Sequence, residues 1–256
     1  MTQSKFKKWQ ILAMFSLAAG LSQFLWLNFA PLISFIEKQY AVSEDTAGLL
    51  LLVFPLIYVL LSVPSGMLID RRGYRFGIGL GLTLMTSFAC LRIYTASFWV
   101  LLTAQIGIAI GQPFVVNGIS KLVLDWFEPN EEAIATGIGT MGLLGGMAAG
   151  LAVSSPLVEA YGLRTTMMIF AGASALIALG FFVLVHPNAT RAGKTGDSAA
   201  TAGLREHLRS FLADRDLILI FILAFLGLGF FNGLTTWLEP ILAPHGIDSV
   251  KAGMVG

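Results

Sequence analysis

The sequence predicts an all-α membrane protein. Of its 256 residues, 56% are hydrophobic and only 12% are charged, which is about half the charged fraction of a typical soluble domain. The apolar residues come in runs of about 20, the length that an α-helix needs to cross the hydrocarbon core of a bilayer. Charged residues concentrate between these runs. Most of the chain is therefore expected to lie within a lipid bilayer.

Seven runs are long enough to span a membrane. They cover approximately residues 10–33, 47–69, 76–94, 98–123, 133–155, 165–185 and 217–241, and an eighth begins at 249–256. The first run follows a basic start that contains Lys5, Lys7 and Lys8. It is longer than the core of a signal peptide and does not end in a small-residue cleavage site, so we expect a retained span.

The distribution of basic residues predicts the orientation. Most of the 16 lysines and arginines fall on the same predicted side as the N-terminus; the exceptions are Lys38, Arg92, Arg164 and Lys251. Because short cytoplasmic loops are rich in Lys and Arg, we expect a cytoplasmic N-terminus in a plasma or inner membrane. The acidic loop before the fifth span has a local explanation. Asn130 is placed to cap that helix, and Glu131 and Glu132 complement its positive end.

The chain divides into two unequal parts. Residues 1–186 form a predicted six-span half, residues 187–216 a cytoplasmic linker, and residues 217–256 the start of a second half. Leu204, Leu208, Phe211 and Leu212 have helical spacing, which indicates an amphipathic helix in the linker. The segments 42–49 (VSEDTAGL) and 247–254 (IDSVKAGM) form a weak repeat. We therefore expect this chain to be a fragment of a protein built from two such halves.

The turn between the second and third spans carries the most specific motif. Its order is G-x-x-x-D-R-x-G, from Gly66 to Gly73, with a further basic residue at Arg75. This motif resembles the signature of the major facilitator superfamily of secondary transporters. The resemblance implies a major-facilitator-type helical bundle that moves its substrate by alternating access around a midplane site. The predicted conformational gating loop comprises Gly66, Asp70, Arg71, Arg72, Gly73 and Arg75.

Uncharged polar residues within the spans are the candidates for a substrate site. These candidates are Gln23, Trp26, Asn28, Gln112 and Asn232; Gln105 lies seven residues before Gln112 in the fourth span. In hydrocarbon such groups are costly unless they pair with other groups or face a cavity. Ordinary hydrogen bonding between helices and a shared central cavity are both compatible with the pattern.

Two further segments resemble one branch of the superfamily. The segments 26–28 (WLN) and 111–114 (GQPF) are similar to those of the feline leukaemia virus subgroup C receptor-related proteins and their prokaryotic relatives. That branch is linked to the uptake of choline and ethanolamine. The resemblance implies that Trp26 and Gln112 belong to the substrate cage, while the tyrosine of the branch's seventh span corresponds to Asn232 here. An indole face attracts a quaternary ammonium, and a neutral amide binds a hydroxyl.

Other classes of function lack support in the sequence. The three histidines are not at metal-ligand spacing, and a G-x-G-x-x-G string at 137–142 lies inside an apolar run without a preceding strand. Gly142, Gly146 and Gly150 recur every four residues, which indicates a helix-packing face. We therefore expect no enzyme and no cofactor. The net charge of +1 predicts no nucleic-acid partner.

The expected partners are a small-molecule substrate and the lipid bilayer, and the protein is expected to be monomeric. Two alternatives remain open at this point. One is a proton- or ion-coupled transporter of organic anions or drugs. The other is a membrane receptor or adaptor that has the same fold but does not transport.

Overall fold

The computed structural model describes residues 2–186 and 214–242, and these residues form helices without a strand. The elements are α1 (Thr2–Leu27), a 3-10 turn (Ala30–Leu32), α2 (Ile33–Tyr40), α3 (Glu44–Arg72), α4 (Tyr74–Leu91), α5 (Phe98–Val116), α6 (Gly118–Trp126), α7 (Glu132–Leu184) and α8 (Arg215–Leu242). The predicted all-α fold class is confirmed. The predicted linker helix and the start of the eighth span lie outside the described residues.

The described part contains five apolar helical segments of membrane-spanning length. They are Phe6–Tyr40, Glu44–Arg72, Tyr74–Leu91, Phe98–Trp126 and Glu132–Leu184. The last segment is α7, which has 53 residues. A straight helix of that length would measure about 80 Å, far more than the roughly 30 Å core of a bilayer. One crossing therefore cannot account for α7.

Helix α7 consists of two antiparallel spans that meet at Gly162. The backbone of Gly162 has φ 77° and ψ 162°, a conformation that favours glycine because a Cβ would be strained there. Trp126, just before α7, donates its Nε1–H to the Tyr74 hydroxyl (2.6 Å). Tyr74 in turn donates to the carbonyl of His186, just after α7 (2.9 Å). Both ends of α7 therefore lie at the same end of the bundle, as the predicted fifth and sixth spans require.

Proline residues interrupt two of the predicted spans. The first was predicted to continue to residue 33, but α1 ends at Leu27. Pro31 lies in the following 3-10 turn, and it has no N–H to continue the α-helical hydrogen bonds. The fourth span contains Pro113 and is divided at Asn117 into α5 and α6. The polar Asn28 and Asn117 both lie at these interruptions.

The predicted packing face of α7 lies against α1. A Cβ on Gly146 would collide with the carbonyl oxygen of Gly20, and one on Gly142 would lie 2.5 Å from the carbonyl oxygen of Ser16. At Gly150 the nearest atom would be the Phe24 carbonyl oxygen at 3.1 Å. The two backbones therefore approach each other more closely than larger residues allow.

The start of α7 differs from the prediction. Its N-cap residue is Glu131, not Asn130, and the Glu131 side chain does not cap the helix. The Glu131 carboxylate instead forms an ion pair with Lys8 near the start of α1 (Nζ to Oε2, 2.5 Å). A charged partner from another helix outweighs a local cap because a charge-assisted hydrogen bond is stronger than a neutral one.

Apolar side chains cover much of the outer surface. On α3, Leu56 is 63% exposed and Val59 is 73% exposed; on α7, Leu176 is 71% exposed. A water-soluble protein rarely exposes a continuous surface of this kind. These faces fit an environment of lipid or of further helices, and the chain is accordingly a multi-pass membrane protein.

Candidate functional site

A buried arginine occupies the end of the bundle opposite the gating loop. Arg92 follows α4 directly and is only 1% exposed, the largest of the fully buried side chains. Its Nη2 donates to the Asn28 Oδ1 (2.8 Å) and to the Leu25 carbonyl (3.4 Å). Its guanidinium carbon lies 4.5 Å from the centroid of the Phe29 ring. From the sequence we expected Arg92 near the outer end of the third span, and its burial and its partners are new information from the structure.

The charge of Arg92 is not balanced by an acid among the described residues. A guanidinium keeps its proton in proteins, so Arg92 is a buried cation. Its Nε and Nη1 have no hydrogen-bond partner within residues 2–186 and 214–242. A buried cation with unpaired donors is costly. Hydropathy could not reveal these partners, because an arginine that reaches water at a span end and a buried one have the same sequence signature.

Asn28 is tied to this arginine. It is completely buried, and its Oδ1 accepts the bond from Arg92. Its Nδ2 has no partner among the described residues. The sequence left two roles open for Asn28: a hydrogen bond between helices, or a position facing a central cavity. The Asn28 Oδ1 has the first role, because it accepts the bond from Arg92.

Trp26 and Gln105 bind consecutive carbonyls of α3. The Trp26 Nε1–H donates to the Leu51 carbonyl (3.0 Å), and the Gln105 Nε2 donates to the Leu50 carbonyl (3.0 Å). Leu51 lies four residues before Pro55, which has no N–H to complete the helical bond. The Trp26 indole N–H therefore replaces the backbone donor that Pro55 lacks.

The indole of Trp26 is otherwise an aromatic surface. It is partly buried and stacks with Phe54 at a centroid distance of 5.9 Å and an interplanar angle of 20°. Because its only N–H is already engaged, Trp26 can offer a ligand its ring and not a hydrogen bond.

We call Trp26, Asn28, Arg92 and Gln105 the polar network. The Leu25 carbonyl receives bonds from both Arg92 and Gln105 (3.4 Å each), so the network links α1, α3, α5 and the end of α4. Gln105 is therefore a connector between helices. Its Oε1 is buried without a partner in the described part of the chain.

Two further glutamines make no side-chain hydrogen bond at all with the described residues, whereas each amide of the polar network makes at least one. Gln112 is 3% exposed, yet none of the described residues forms a hydrogen bond with its side chain. Gln23 is 5% exposed, and its Oε1 has no partner in the same part of the chain. A covered amide oxygen without a partner, such as the Gln23 Oε1, costs about 1–3 kcal/mol, and a ligand's hydrogen bond would recover that cost. The Gln112 amide atoms are not among the fully covered unpaired atoms, so a ligand could reach them.

The predicted site residues are thus only partly brought together. Trp26 and Asn28 share the polar network, whereas Gln112 lies two turns, or about 10 Å, along α5 from Gln105. Asn232 lies on α8, but its side chain is outside the described residues. In the described ranges, no group of three His, Cys, Asp or Glu side chains is placed to hold a metal ion.

The predicted gating loop is a tight connection between α3 and α4. Gly73 joins the two helices with φ 84°, and its N–H donates to the Ile69 carbonyl (2.7 Å). Arg75 donates from Nε to the carbonyl of Val185 (2.7 Å) and from Nη2 to that of Phe182 (3.4 Å). Arg75 therefore secures the C-terminal end of α7, where carbonyls lack helical partners.

The acidic residue of the motif faces outward. Asp70 is exposed, and it makes no hydrogen bond or ion pair with the described residues. It lies on the same face of α3 as two exposed apolar residues, Met67 one turn earlier and Val63 two turns earlier. Gly66 lies on that same face, and a Cβ there would meet nothing within 4 Å. Gly66 and Asp70 are thus available to another surface.

Comparison with known proteins gives a consistent result. A family model described as Major Facilitator Superfamily matches residues 15–256. Solute carrier family 49 member A3 of Danio rerio is 29% identical over 98% of this chain and 55% of its own length. The choline/ethanolamine transporter FLVCR1 of Felis catus is 24% identical over 98% of this chain and 48% of its own length. The chain therefore spans about half the length of these curated relatives.

A solved structure shows the same arrangement of helices. It is a bacterial homolog of the human lysosomal transporter Spinster, in an inward-facing and unoccupied conformation. The TM-score is 0.80 and the sequence identity 22%, with coverage of 97% of this chain and 58% of that one. This likeness shows the fold.

Proposed function

The chain belongs to the Major Facilitator Superfamily, and from this premise we propose that it is part of a transporter for a small polar organic solute. Solute would cross by alternating access, with the bundle described here rocking against a second half. The observation that carries the proposal is the Gln112 side chain in α5: the residue is only 3% exposed, yet its amide has no hydrogen-bond partner among the described residues. An interior built only for packing would pair or replace such a group.

We propose an amino alcohol or quaternary ammonium as the substrate class. Support comes from Trp26, which offers an aromatic face, and from relatives named as choline/ethanolamine transporters. A cation held against an indole gains about 0.5–2 kcal/mol. In this proposal Gln112 binds the hydroxyl, and Gln23, Asn28 and Asn232 contribute polar surface.

The network arginine favours a second candidate, a transporter of organic anions. Arg92 remains a cation, and it has no acidic partner among the described residues. A nearby positive charge in a medium of low dielectric opposes a cationic ligand and attracts an anionic one. The Arg92 Nε and Nη1 are fully covered in this structure, so the effect would act at a distance and not by direct contact.

A thermal-shift titration of the purified full-length protein separates the two candidates. Choline, ethanolamine, betaine and a panel of organic acids would be titrated against the parent, Trp26→Ala and Gln112→Ala. Trp99→Ala is the matched control, because Trp99 is 65% exposed. The cation proposal predicts that Trp26→Ala weakens choline binding by up to about 30-fold and that the control does not. Stabilisation by acids alone, unaffected by Trp26→Ala, would favour the anion transporter.

Flux measurements test the transport proposal itself. The protein would be reconstituted in liposomes, and uptake of the ligand identified by titration would be followed with and without an ion gradient. A protein that binds ligand but moves none of it would instead be a receptor or adaptor with a transporter fold.

We also propose a cytoplasmic N-terminus and gating loop. The support is the excess of basic residues on that side. In a Cys90→Ser background, an impermeant thiol reagent added outside intact cells should label Lys38→Cys and not Arg71→Cys. Both positions are exposed in the structure. The reverse labelling pattern would invert the proposed orientation.

A further inference from the structure

A groove opens on the outer surface of the bundle between α4 and the last turns of α7. Its volume is about 480 Å³. Arg72 and Arg75 lie at one end, and Phe76, Leu80 and Phe182 form its apolar walls. Phe76 and Phe182 are 39% and 43% exposed, so the groove faces the surroundings and not the substrate site. Its two arginines belong to the predicted gating loop, whereas its apolar walls have no role in the proposed transport mechanism.

The charged end of the groove has an available cation. Arg72 is exposed, and it forms no ion pair within the described part of the chain. Its guanidinium carbon lies 4.9 Å from the centroid of the Phe76 ring, which holds the charge above the mouth of the groove. Arg75 adds a second positive charge, although its Nε is bound to the Val185 carbonyl. Two neighbouring cations that form no ion pair with an acid of the described residues, Asp70 included, favour an anionic partner.

The rest of the groove is suited to hydrocarbon. It extends along α4 from Arg75 to Thr83, a length of about 12 Å at 1.5 Å per residue. Half of a bilayer core measures about 15 Å, so the groove follows most of one leaflet. The Thr83 hydroxyl donates to the Gly79 carbonyl (2.8 Å) and leaves no free hydroxyl hydrogen in the apolar part. The ligand that matches this shape has an anionic head and an apolar tail.

We propose that this groove binds one anionic phospholipid. Its phosphate lies at Arg72, with the field of Arg75 added, and one acyl chain lies between Phe76, Leu80 and Phe182. The location fits the general rule that basic pockets between membrane helices bind anionic headgroups. A zwitterionic lipid would fill the same groove but would gain less at the charged end, because its headgroup carries its own cation.

Native mass spectrometry of the purified protein tests the proposal. The protein would be equilibrated with equimolar phosphatidylglycerol and phosphatidylcholine of identical chains, and the retained lipid would be counted. We expect preferential retention of one phosphatidylglycerol per chain. Arg72→Gln should reduce that retention about fivefold, which corresponds to about 1 kcal/mol for one cation near the headgroups. Arg71→Gln is the matched control, because Arg71 is an exposed neighbour that does not line the groove.

A second variant tests the acyl-chain part. Leu80→Trp should fill the groove and reduce retention of both lipids; Leu80→Phe replaces it if the tryptophan variant does not fold. Equal losses in Arg72→Gln and Arg71→Gln would overturn the proposal, since they would indicate diffuse attraction to the membrane surface. Retention that is unchanged in the folded Leu80 variant would also overturn it. A free phosphate site would be indicated instead if inorganic phosphate displaced phosphatidylglycerol completely at millimolar concentration.

Discussion

The hydrogen bond between Trp26 and the Leu51 carbonyl can be measured apart from the packing of the indole. Leu51 is 1% exposed, and Pro55 cannot donate to its carbonyl. The Trp26 Nε1–H supplies the missing donor at 3.0 Å. Trp26→Phe keeps an aromatic ring but removes this donor. The substitution therefore leaves a buried carbonyl without its bond from Trp26.

The expected cost of Trp26→Phe has two parts. An unsatisfied buried carbonyl costs about 1–3 kcal/mol, and the smaller ring leaves a cavity that adds to the loss. Pro55→Ala separates these parts, because the alanine introduces a backbone N–H that can bind the Leu51 carbonyl within α3. In that background Trp26→Phe should retain only the cavity cost. We therefore expect a coupling free energy of about 1 kcal/mol or more between the two substitutions.

The measurement is a double-mutant cycle of unfolding free energies. The parent, both single variants and the double variant would be unfolded by denaturant in the same detergent, with circular dichroism as the readout. Trp99→Phe, at an exposed tryptophan, is the control and should change stability by less than about 0.5 kcal/mol. Effects of Trp26→Phe and Pro55→Ala that add within about 0.3–0.5 kcal/mol would refute the role assigned to this hydrogen bond.

Three further predictions concern the gating loop and the contacts between helices. Asp70→Asn should lower transport without changing membrane insertion: Asp70 is exposed and forms no ion pair among the described residues, and we propose that its charge stabilises one conformational state of the transporter. Equal turnover in liposomes would contradict this. Gly146→Ala should destabilise the protein by about 1–3 kcal/mol, because the new Cβ would collide with the Gly20 carbonyl. Gly145→Ala is the control: its Cβ would meet open space, and thermal unfolding should be nearly unchanged. Lys8→Ala should lower the unfolding free energy by about 1–2 kcal/mol, because the partly buried Glu131 carboxylate loses the short ion pair with Lys8. An unchanged denaturation midpoint would show that this ion pair contributes nothing.

The sequence predicted the fold through signals that are local. Apolar runs of about 20 residues marked the spans because a bilayer imposes one length on every crossing helix. The Gly66–Arg75 motif and the segments around Trp26 and Gln112 indicated the superfamily, which the family match confirms. Gly162 lies between the predicted spans 133–155 and 165–185, so the reversal of direction within α7 was predicted from the same run lengths.

The sequence determined less about the interior, where the tertiary structure decided which polar groups are engaged. Gln105 and Gln112 are the same residue type on one helix, yet Gln105 binds carbonyls of α1 and α3 while Gln112 binds none of the described residues. The difference depends on which neighbouring backbone is within reach. Which carbonyls a side chain can reach depends on how closely the helices pack, as at Gly146. It also depends on prolines such as Pro55, which leave a helical carbonyl without its backbone donor. Arg92 shows the same limit: its charge was evident from the sequence, but its burial beside Asn28 required the folded arrangement of α1 and α4.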